Sequence, residues 1–439
     1  GKYESTNPCI TDDTWIMTED GPYQVKDLIS KEFTALVNGE RWKSGEAGFF
    51  ATGVKPVYKL RTKEGLEIRL TLNHPLMRIK KRTRYSVETE WTEAGKLEVG
   101  DRVVINNHLY AQWQGRYSLK EGYLIGLLIG DGTIKKDNAV LSSWGRSQGP
   151  EKVRAAVMDS LDGFRHRSDF SGWVEIKERN EFRLCLASLS DLAFSLGLKP
   201  GIKEVTEQIE GCSADFCRGL LRGLFDTDGT VLVNQEKGSS VRLAQSNLSL
   251  LQSAQRILLR FGIYSKIYAF RRSEGVQNLP DGKGGYAQYN IRAQHELVIS
   301  NESILKFAQK IGFEDTDKQN RLEKIIKNYK RTVNKDFFAA TIEDIVFEGM
   351  EEVYDTQIPG LNYFDANGFI VHNCGEQILL PYESCDLGSI NLSRMYKEPE
   401  GSRYEIDWDK LRTVTHLSVH FLDNLIDVNK FPILPIEKA

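Results

Sequence analysis

The chain has 439 residues, 40% of them apolar and 27% charged, with a formal net charge of −3. That composition fits a globular protein of two or three domains and argues against a disordered or fibrous one. No apolar run is long enough to cross a bilayer, nothing at the start reads as a secretory signal, and six cysteines without a dense framework point to a reducing cytoplasm.

The first residue is Gly rather than Met, which reads as a processed chain or an excised fragment. Charge is unevenly spread: residues 110–335 hold 34 Lys and Arg against 26 Asp and Glu, and the remainder holds 24 against 35. A basic middle within an acidic chain points to a polyanionic partner for that middle, with a solvated basic surface as the alternative.

Taken in order, residues 1–8 form a short polar leader. Thr14 to Ile16, Val54 to Leu60, Leu66 to Leu72 and Val103 to Ile105 carry β-branched and apolar residues between turn signals such as Asp20-Gly21 and Gly100-Asp101. The first ~105 residues therefore read as an all-β unit.

The pattern changes near Tyr110. A helix over Glu121 to Gly130 ends in Gly130-Asp131-Gly132, and a second over Phe216 to Gly229 ends in Asp226-Thr227-Asp228-Gly229. Each is followed by a β-branched run, so the middle reads as an internal repeat. Small residues at matching places, Gly126 and Gly130 against Gly219 and Gly223, allow two helices to approach closely. Asp131 and Asp228 then lie side by side. Paired carboxylates attract a divalent cation, because like charges in proximity are costly unless neutralised, and such a pair suits metal-assisted phosphodiester hydrolysis. Further helices are expected over Ser249 to Phe261, Glu302 to Ile311 and Lys318 to Lys330.

From Phe337 the β character returns, over Thr341 to Phe347, Glu352 to Thr356 and Asp365 to Val371. The middle thus looks inserted between two parts of one β domain. The last β run ends in His372-Asn373-Cys374. An Asn side-chain amide can attack its own carbonyl and cleave the following bond, a neighbouring His can move the protons, and an adjacent Cys can take an acyl group. The tail is loop-like until Trp408, Leu411, Val414, Leu417, Phe421 and Leu425 mark one helical face. Cys185, Cys212 and Cys217 read as core or surface thiols, and Cys212 and Cys217 lack partners for a zinc site.

Three family resemblances meet on these motifs. The outer β parts resemble a protein-splicing intein running from Cys9 to Asn373. The likeness rests on Cys9-Ile10-Thr11, Thr71-Leu72-Asn73-His74, Tyr354-Asp355 and Val371-His372-Asn373-Cys374. It implies a discontinuous, mainly β, horseshoe-like splicing domain (Hint fold) in residues 9–109 and 336–373. It further implies that Cys9 attacks the Pro8 carbonyl, with His74 protonating the departing nitrogen and Thr71 holding the strained bond. Cys374 takes the acyl group with Asp355 managing its proton, and Asn373 cyclises with help from His372. Each step exchanges one acyl bond for another, so splicing is expected to need no cofactor. Asn362 stands where the family often has a second His, and an amide cannot shuttle protons.

The middle, 110–335, resembles an α+β two-repeat LAGLIDADG homing endonuclease. That likeness implies Asp131 and Asp228 as Mg²⁺ ligands, Lys203 as a catalytic basic residue with Lys318 a weaker candidate, and double-stranded DNA carrying the uninterrupted host gene as target. The flanks, 1–8 and 374–439, resemble the large subunit of ribonucleotide reductase; removing 9–373 brings Asn7-Pro8 next to Cys374-Gly375-Glu376. By that likeness Cys374 is the radical cysteine, Asn7 and Glu376 bind ribose, and Cys385 is one of a redox pair. The rest of the reductase chain is then a partner, and adenosylcobalamin a possible cofactor of the complete host. Competing expectations are a DNA-binding module with incidental junction residues, an autoprocessing domain that only cleaves, and an intein whose endonuclease is degenerate.

Overall fold

The computed structural model describes residues 8–83, 86–108, 112–233, 238–280, 286–329, 338–373, 388–397 and 405–430. Residues 1–374 form one compact unit and 375–439 a second.

The β part is organised by one long antiparallel ribbon, in which Phe49–Thr62 pairs with Ala339–Thr356. The sequence suggested two short strands in the second partner. Instead one 18-residue strand runs through, with register shifts that absorb the break at Gly349. The ribbon joins an eight-stranded sheet that also holds Glu67–Leu70, Pro75–Arg82, Val87–Glu93, Arg102–Val104, Tyr363–Ala366 and Phe369–His372. The last two form a hairpin across Asn367-Gly368, whose positive φ values of 52° and 88° suit an Asn-Gly turn. A four-stranded sheet with Trp15–Thr18 at its centre completes this part.

The inserted middle leaves and re-enters at one place. Arg102–Val104 pairs with Ala339–Thr341, and the Ile105 amide donates to the Phe338 carbonyl at 2.9 Å. A chain that exits and returns on adjacent strands can hold a folded insert without disturbing the sheet.

The middle is itself duplicated. Helix Leu119–Gly130 is followed by a sheet ordered Thr133–Ile134, Ala139–Trp144, Glu181–Leu186, Val174–Ile176. Helix Ala214–Asp228 is followed by Gly229–Leu232, Ser240–Gln245, Gln294–Ser300, Ser265–Arg272, the same order. Each leading helix is capped by a serine: Ser118 forms a capping box with Glu121, and Ser213 accepts from the Phe216 amide. The two helices pack along their glycines. A Cβ on Gly126 would lie 2.3 Å from the Leu220 carbonyl oxygen, and one on Gly223 2.5 Å from that of Tyr123.

Within the first unit the two parts share a packed boundary. Leu259 of helix Leu248–Arg260 belongs to the apolar cluster of the β part, and Arg260 sits 5.1 Å over the Trp15 ring. In the second unit, helix Trp408–Val428 is capped by Asp407, follows a short pairing of Tyr396–Lys397 with Glu405–Ile406, and buries none of its residues. No described helix is long and apolar enough to cross a membrane.

Gly126→Ala should destabilise the first unit by about 1–3 kcal/mol, because the methyl group meets backbone that cannot move aside. Chemical denaturation of the variant against the parent checks this; equal midpoints would contradict the close helix crossing.

Candidate active sites

The first site forms where the segment from Cys9 lies between the edge of the sheet and the ribbon. Ile10 exchanges backbone hydrogen bonds with Tyr354 at 2.9 and 3.0 Å, and the Thr71 amide donates to the Cys9 carbonyl at 3.1 Å. Cys9 is thereby fully buried. Its amide nitrogen donates to Thr71 Oγ1 at 3.0 Å. His74 is also fully buried, and its Nδ1 lies 3.1 Å from the Cys9 carbonyl oxygen. The expectation that His74 meets the Cys9 nitrogen therefore changes: the described contact to that nitrogen is from Thr71, and His74 holds the next carbonyl.

Burial pushes the His74 pKa down to about 4, with the nearby His372 imidazole adding to the depression and the Cys9 and His372 backbones opposing it. His74 is thus neutral near pH 7. It is also the residue through which the two junctions meet, since it touches the Cys9 carbonyl and feels both the ring and main chain of His372. Strand pairing explains the meeting: Phe369–His372 lies beside Pro75–Arg82, with Val371 opposite Leu76.

Asn373 is buried. Its amide donates to the Asn362 carbonyl and its Nδ2 to the Leu361 carbonyl, both at 3.0 Å. Asn373 Oδ1 is buried with no partner among the described residues. Asn362, in place of the family's usual His, therefore contributes backbone rather than an acid or base. His372 is held edge-on by Trp91, with ring centroids 5.0 Å apart at 88°. Asp355 is buried and accepts from the Thr356 amide at 2.8 Å.

Sequence reasoning missed Thr52 and Lys55. Thr52 Oγ1 lies 2.9 Å from Cys9 Sγ, and Lys55 Nζ donates to the same sulfur at 3.2 Å. The signal was present: Lys55 shares its parity along the strand with the fully buried Val57, so it faces inward. Burial raises the Cys9 thiol pKa, while Thr52 and Lys55 pull it down and Asp355 adds to the rise.

The second site lies where the paired helices end. Asp131 is pushed up to about 6, first by burial and then by the charge of Asp228, with Lys203 and Lys318 opposing. Asp228 is also raised by burial, opposed by hydrogen bonds from Gln245 and Thr227. Lys203 Nζ donates to the Gly130 carbonyl at 2.7 Å; Lys318 Nζ donates to the carbonyls of Phe225, Asp226 and Thr227 at 3.0, 2.6 and 3.2 Å. The two lysines thus occupy matching places at the two helix ends, which lifts Lys318 to equal standing with Lys203. Gln245, which donates to Asp228 at 2.7 Å, was not foreseen.

Asp226, though within the motif, is structural: it accepts from Tyr123 Oη at 2.9 Å and from the amides of Glu314 and Asp315 at 3.2 and 3.1 Å. Two carboxylates raised by burial, Asp131 further by the charge of Asp228, at the C-terminal ends of the paired helices fit a divalent cation. The described residues hold no cluster of three or more His, Cys, Asp or Glu side chains able to bind one, so remaining ligands would be carbonyls, water or the substrate. Asn7, Cys374, Glu376 and Cys385 lie outside the described residues.

Residues 215–312 match the family described as "LAGLIDADG-like domain". The alpha subunit of a ribonucleoside-diphosphate reductase of Bacillus subtilis (strain 168) is 27% identical over 94% of this chain and 42% of its own length. The chain thus spans about two fifths of that curated relative. Among solved structures, a G-1F mutant of the Ssp DnaB mini-intein variant M86 covers 83% of this chain and 98% of its own at 14% identity and a TM-score of 0.27. Mesophilic variants of the homing endonuclease I-DmoI cover 44% and 90% at 18% identity and a TM-score of 0.31.

Residues 215–312 are thus similar to a LAGLIDADG-type domain, and the β fold, its interrupted sheet and its duplicated insert are consistent with an intein carrying such a domain. Over most of its length the chain is similar to a ribonucleotide reductase large subunit.

Between the two sites, at the shared boundary, Asp365 is fully buried and raised to about 7 by burial, against hydrogen bonds from Asn106 and Gly368 and the charge of Arg260. His108, whose Nε2 lies 3.5 Å from it, is pushed down to about 3 by burial and Arg260. Both groups favour their neutral forms. Because the Asp365 value is raised on folding, its stabilising contribution is complete below the unfolded value near about 4 and is lost as pH rises through about 7. Asp365→Asn should therefore flatten the fall in melting temperature between about pH 4.5 and 7.5; a curve parallel to the parent's would contradict the assignment.

Proposed function

We propose that residues 9–373 excise themselves and join the flanks, and that the insert, 110–335, makes a double-strand cut in DNA. The splicing domain then comprises 9–109 and 336–373. The observation that carries the first activity is the convergence of both junctions on His74 across 365 residues of sequence.

In the first step the Cys9 sulfur attacks the Pro8 carbonyl and the C–N bond to Cys9 breaks. Thr71 Oγ1, already on the Cys9 nitrogen, holds the scissile amide in place, and His74 pins the adjoining carbonyl. Such fixed geometry supplies much of the acceleration in an intramolecular acyl transfer. Cys374 then receives the acyl group, with Asp355 handling its proton. Asn373 attacks its own carbonyl and breaks the bond to Cys374, and the freed Cys374 amine takes the acyl group to form an ordinary peptide bond. For Asn373 to cyclise, its Nδ2 must leave the Leu361 carbonyl, so the last cleavage awaits a local movement. His372, steered by Trp91, carries the proton transfers that Asn362 cannot.

In the insert, Asp131 and Asp228 would hold Mg²⁺, which activates water and neutralises charge on the scissile phosphate. Lys203 and Lys318 place positive charge at the same helix ends, where the exposed carbonyl dipoles would otherwise repel a phosphodiester. The basic middle supports a DNA partner, the uninterrupted host gene being the target proposed. The reductase-like flanks support a ribonucleoside di- or triphosphate reductase as host, with adenosylcobalamin as its cofactor; the chain's share of that protein is too small to reduce nucleotides alone.

Mass spectrometry after expression tests splicing: the parent should yield joined flanks and a free middle, and Cys9→Ala with Asn373→Ala a single full-length species. A full-length parent that never processes would leave a DNA-binding module as the better reading.

Cleavage is tested on DNA spanning the uninterrupted reductase site. The parent should linearise it with Mg²⁺, and Asp228→Asn should lose at least about a hundredfold of that rate. Binding without metal-dependent cutting would mark the insert as degenerate.

A further inference from the structure

Lys55 is a residue of the first site that no motif announces. It lies in strand Phe49–Thr62, is 8% exposed, and donates to the Cys9 sulfur at 3.2 Å. Around it Cys9, Val57 and Val353 form a small apolar cluster of their own, each fully buried. A lysine chain in such a place costs desolvation, so its presence calls for a group that gains from the charge.

Thr52 completes the arrangement. Its hydroxyl donates to the Val353 carbonyl at 3.2 Å, so with the thiol protonated Cys9 donates to Thr52 Oγ1 across 2.9 Å. On ionisation the threonine hydroxyl can turn and donate to the sulfur instead. The sulfur then has two donors, one of them cationic, and charge-assisted hydrogen bonds are the stronger kind.

The geometry points to Lys55 as a catalytic residue that holds the Cys9 sulfur as thiolate for the first acyl shift. This rests on the splicing reading above and deepens it. The step balances as an isomerisation. The Sγ–C bond to Pro8 forms and the C–N bond to Cys9 breaks. The proton lost from the thiol is balanced by the one that the Cys9 nitrogen gains as the C–N bond breaks, and Thr71 Oγ1, 3.0 Å from that nitrogen, is placed to relay it. No electron, metal or co-reactant is needed. Burial alone would hold this thiol protonated and inert; Lys55 offsets that effect at the sulfur itself while leaving the pocket closed to water.

The test uses the full chain with Asn373→Ala and Cys374→Ala, which stops the sequence after the first step. Two quantities are followed from about pH 6 to about pH 10. One is Cys9 ionisation, as thiolate absorbance in the ultraviolet with Cys9→Ala subtracted. The other is hydroxylamine-dependent release of residues 1–8. Lys55→Met should raise the ionisation midpoint by about one pH unit or more and slow release near neutral pH by about tenfold, whereas Lys55→Arg should stay within a few-fold of the parent. Should Lys55→Met not fold, Lys55→Gln is read against the same expectations.

A Cys9 titration unmoved by loss of the lysine overturns the inference even if the parent releases its leader, and the splicing reading then stands. A parent that releases nothing, while its Cys9 titration still shifts with Lys55→Met, upholds the contact and defeats the splicing reading instead.

Discussion

The pairing of Phe49–Thr62 with Ala339–Thr356 is the constraint on which the rest of the structure depends. It joins segments separated by the whole insert. Backbone groups along that ribbon are satisfied only when both parts of the β domain are present. The pairing sets Tyr354 beside Ile10, and so fixes Cys9. Its neighbour Arg102–Val104 leads the chain into the insert beside Ala339–Thr341, where it returns. Loop-closure entropy grows slowly with length, so a large insert is tolerated where its ends lie on adjacent strands.

The two sites obey opposite electrostatic rules. The first is dry and depends on keeping groups neutral until they act: His74 near pH 7 has no charge, and the Cys9 thiol is held up by burial. Charge bears on the sulfur from Lys55, which favours the thiolate, and from Asp355, which opposes it. The second gathers two carboxylates, with the charge of Asp228 adding to the rise of Asp131, and sets two lysines on the flanking carbonyls. The first arrangement suits an intramolecular exchange of acyl bonds; the second suits an ionic substrate that arrives with its own cations.

Burial also explains why the two parts act as one body in the first unit. Leu259 packs into the β cluster, and a Cβ on Gly368 would lie 2.4 Å from its Cδ2. That glycine sits in the turn leading to His372 and Asn373. Helix Leu248–Arg260 of the insert therefore presses on the hairpin that carries the downstream junction. A change of packing at this boundary reaches both sites through rigid elements.

Motif and periodicity were legible in the sequence because they are local. The helix repeats declared themselves by glycine spacing and terminal Asp, the β segments by alternation, and the junctions by residue chemistry; the insertion followed from the order of these textures. What the sequence left undecided is nonlocal. The match of Lys318 with Lys203, the pairing that runs Thr341 to Thr356 as one strand, and the contact of Thr71 rather than His74 with the Cys9 nitrogen all depend on which strands lie side by side. Lys55 is the clearest case. Its inward parity could be read from Val57, but the partner it faces comes from 46 positions upstream, and only tertiary pairing brings that sulfur to it.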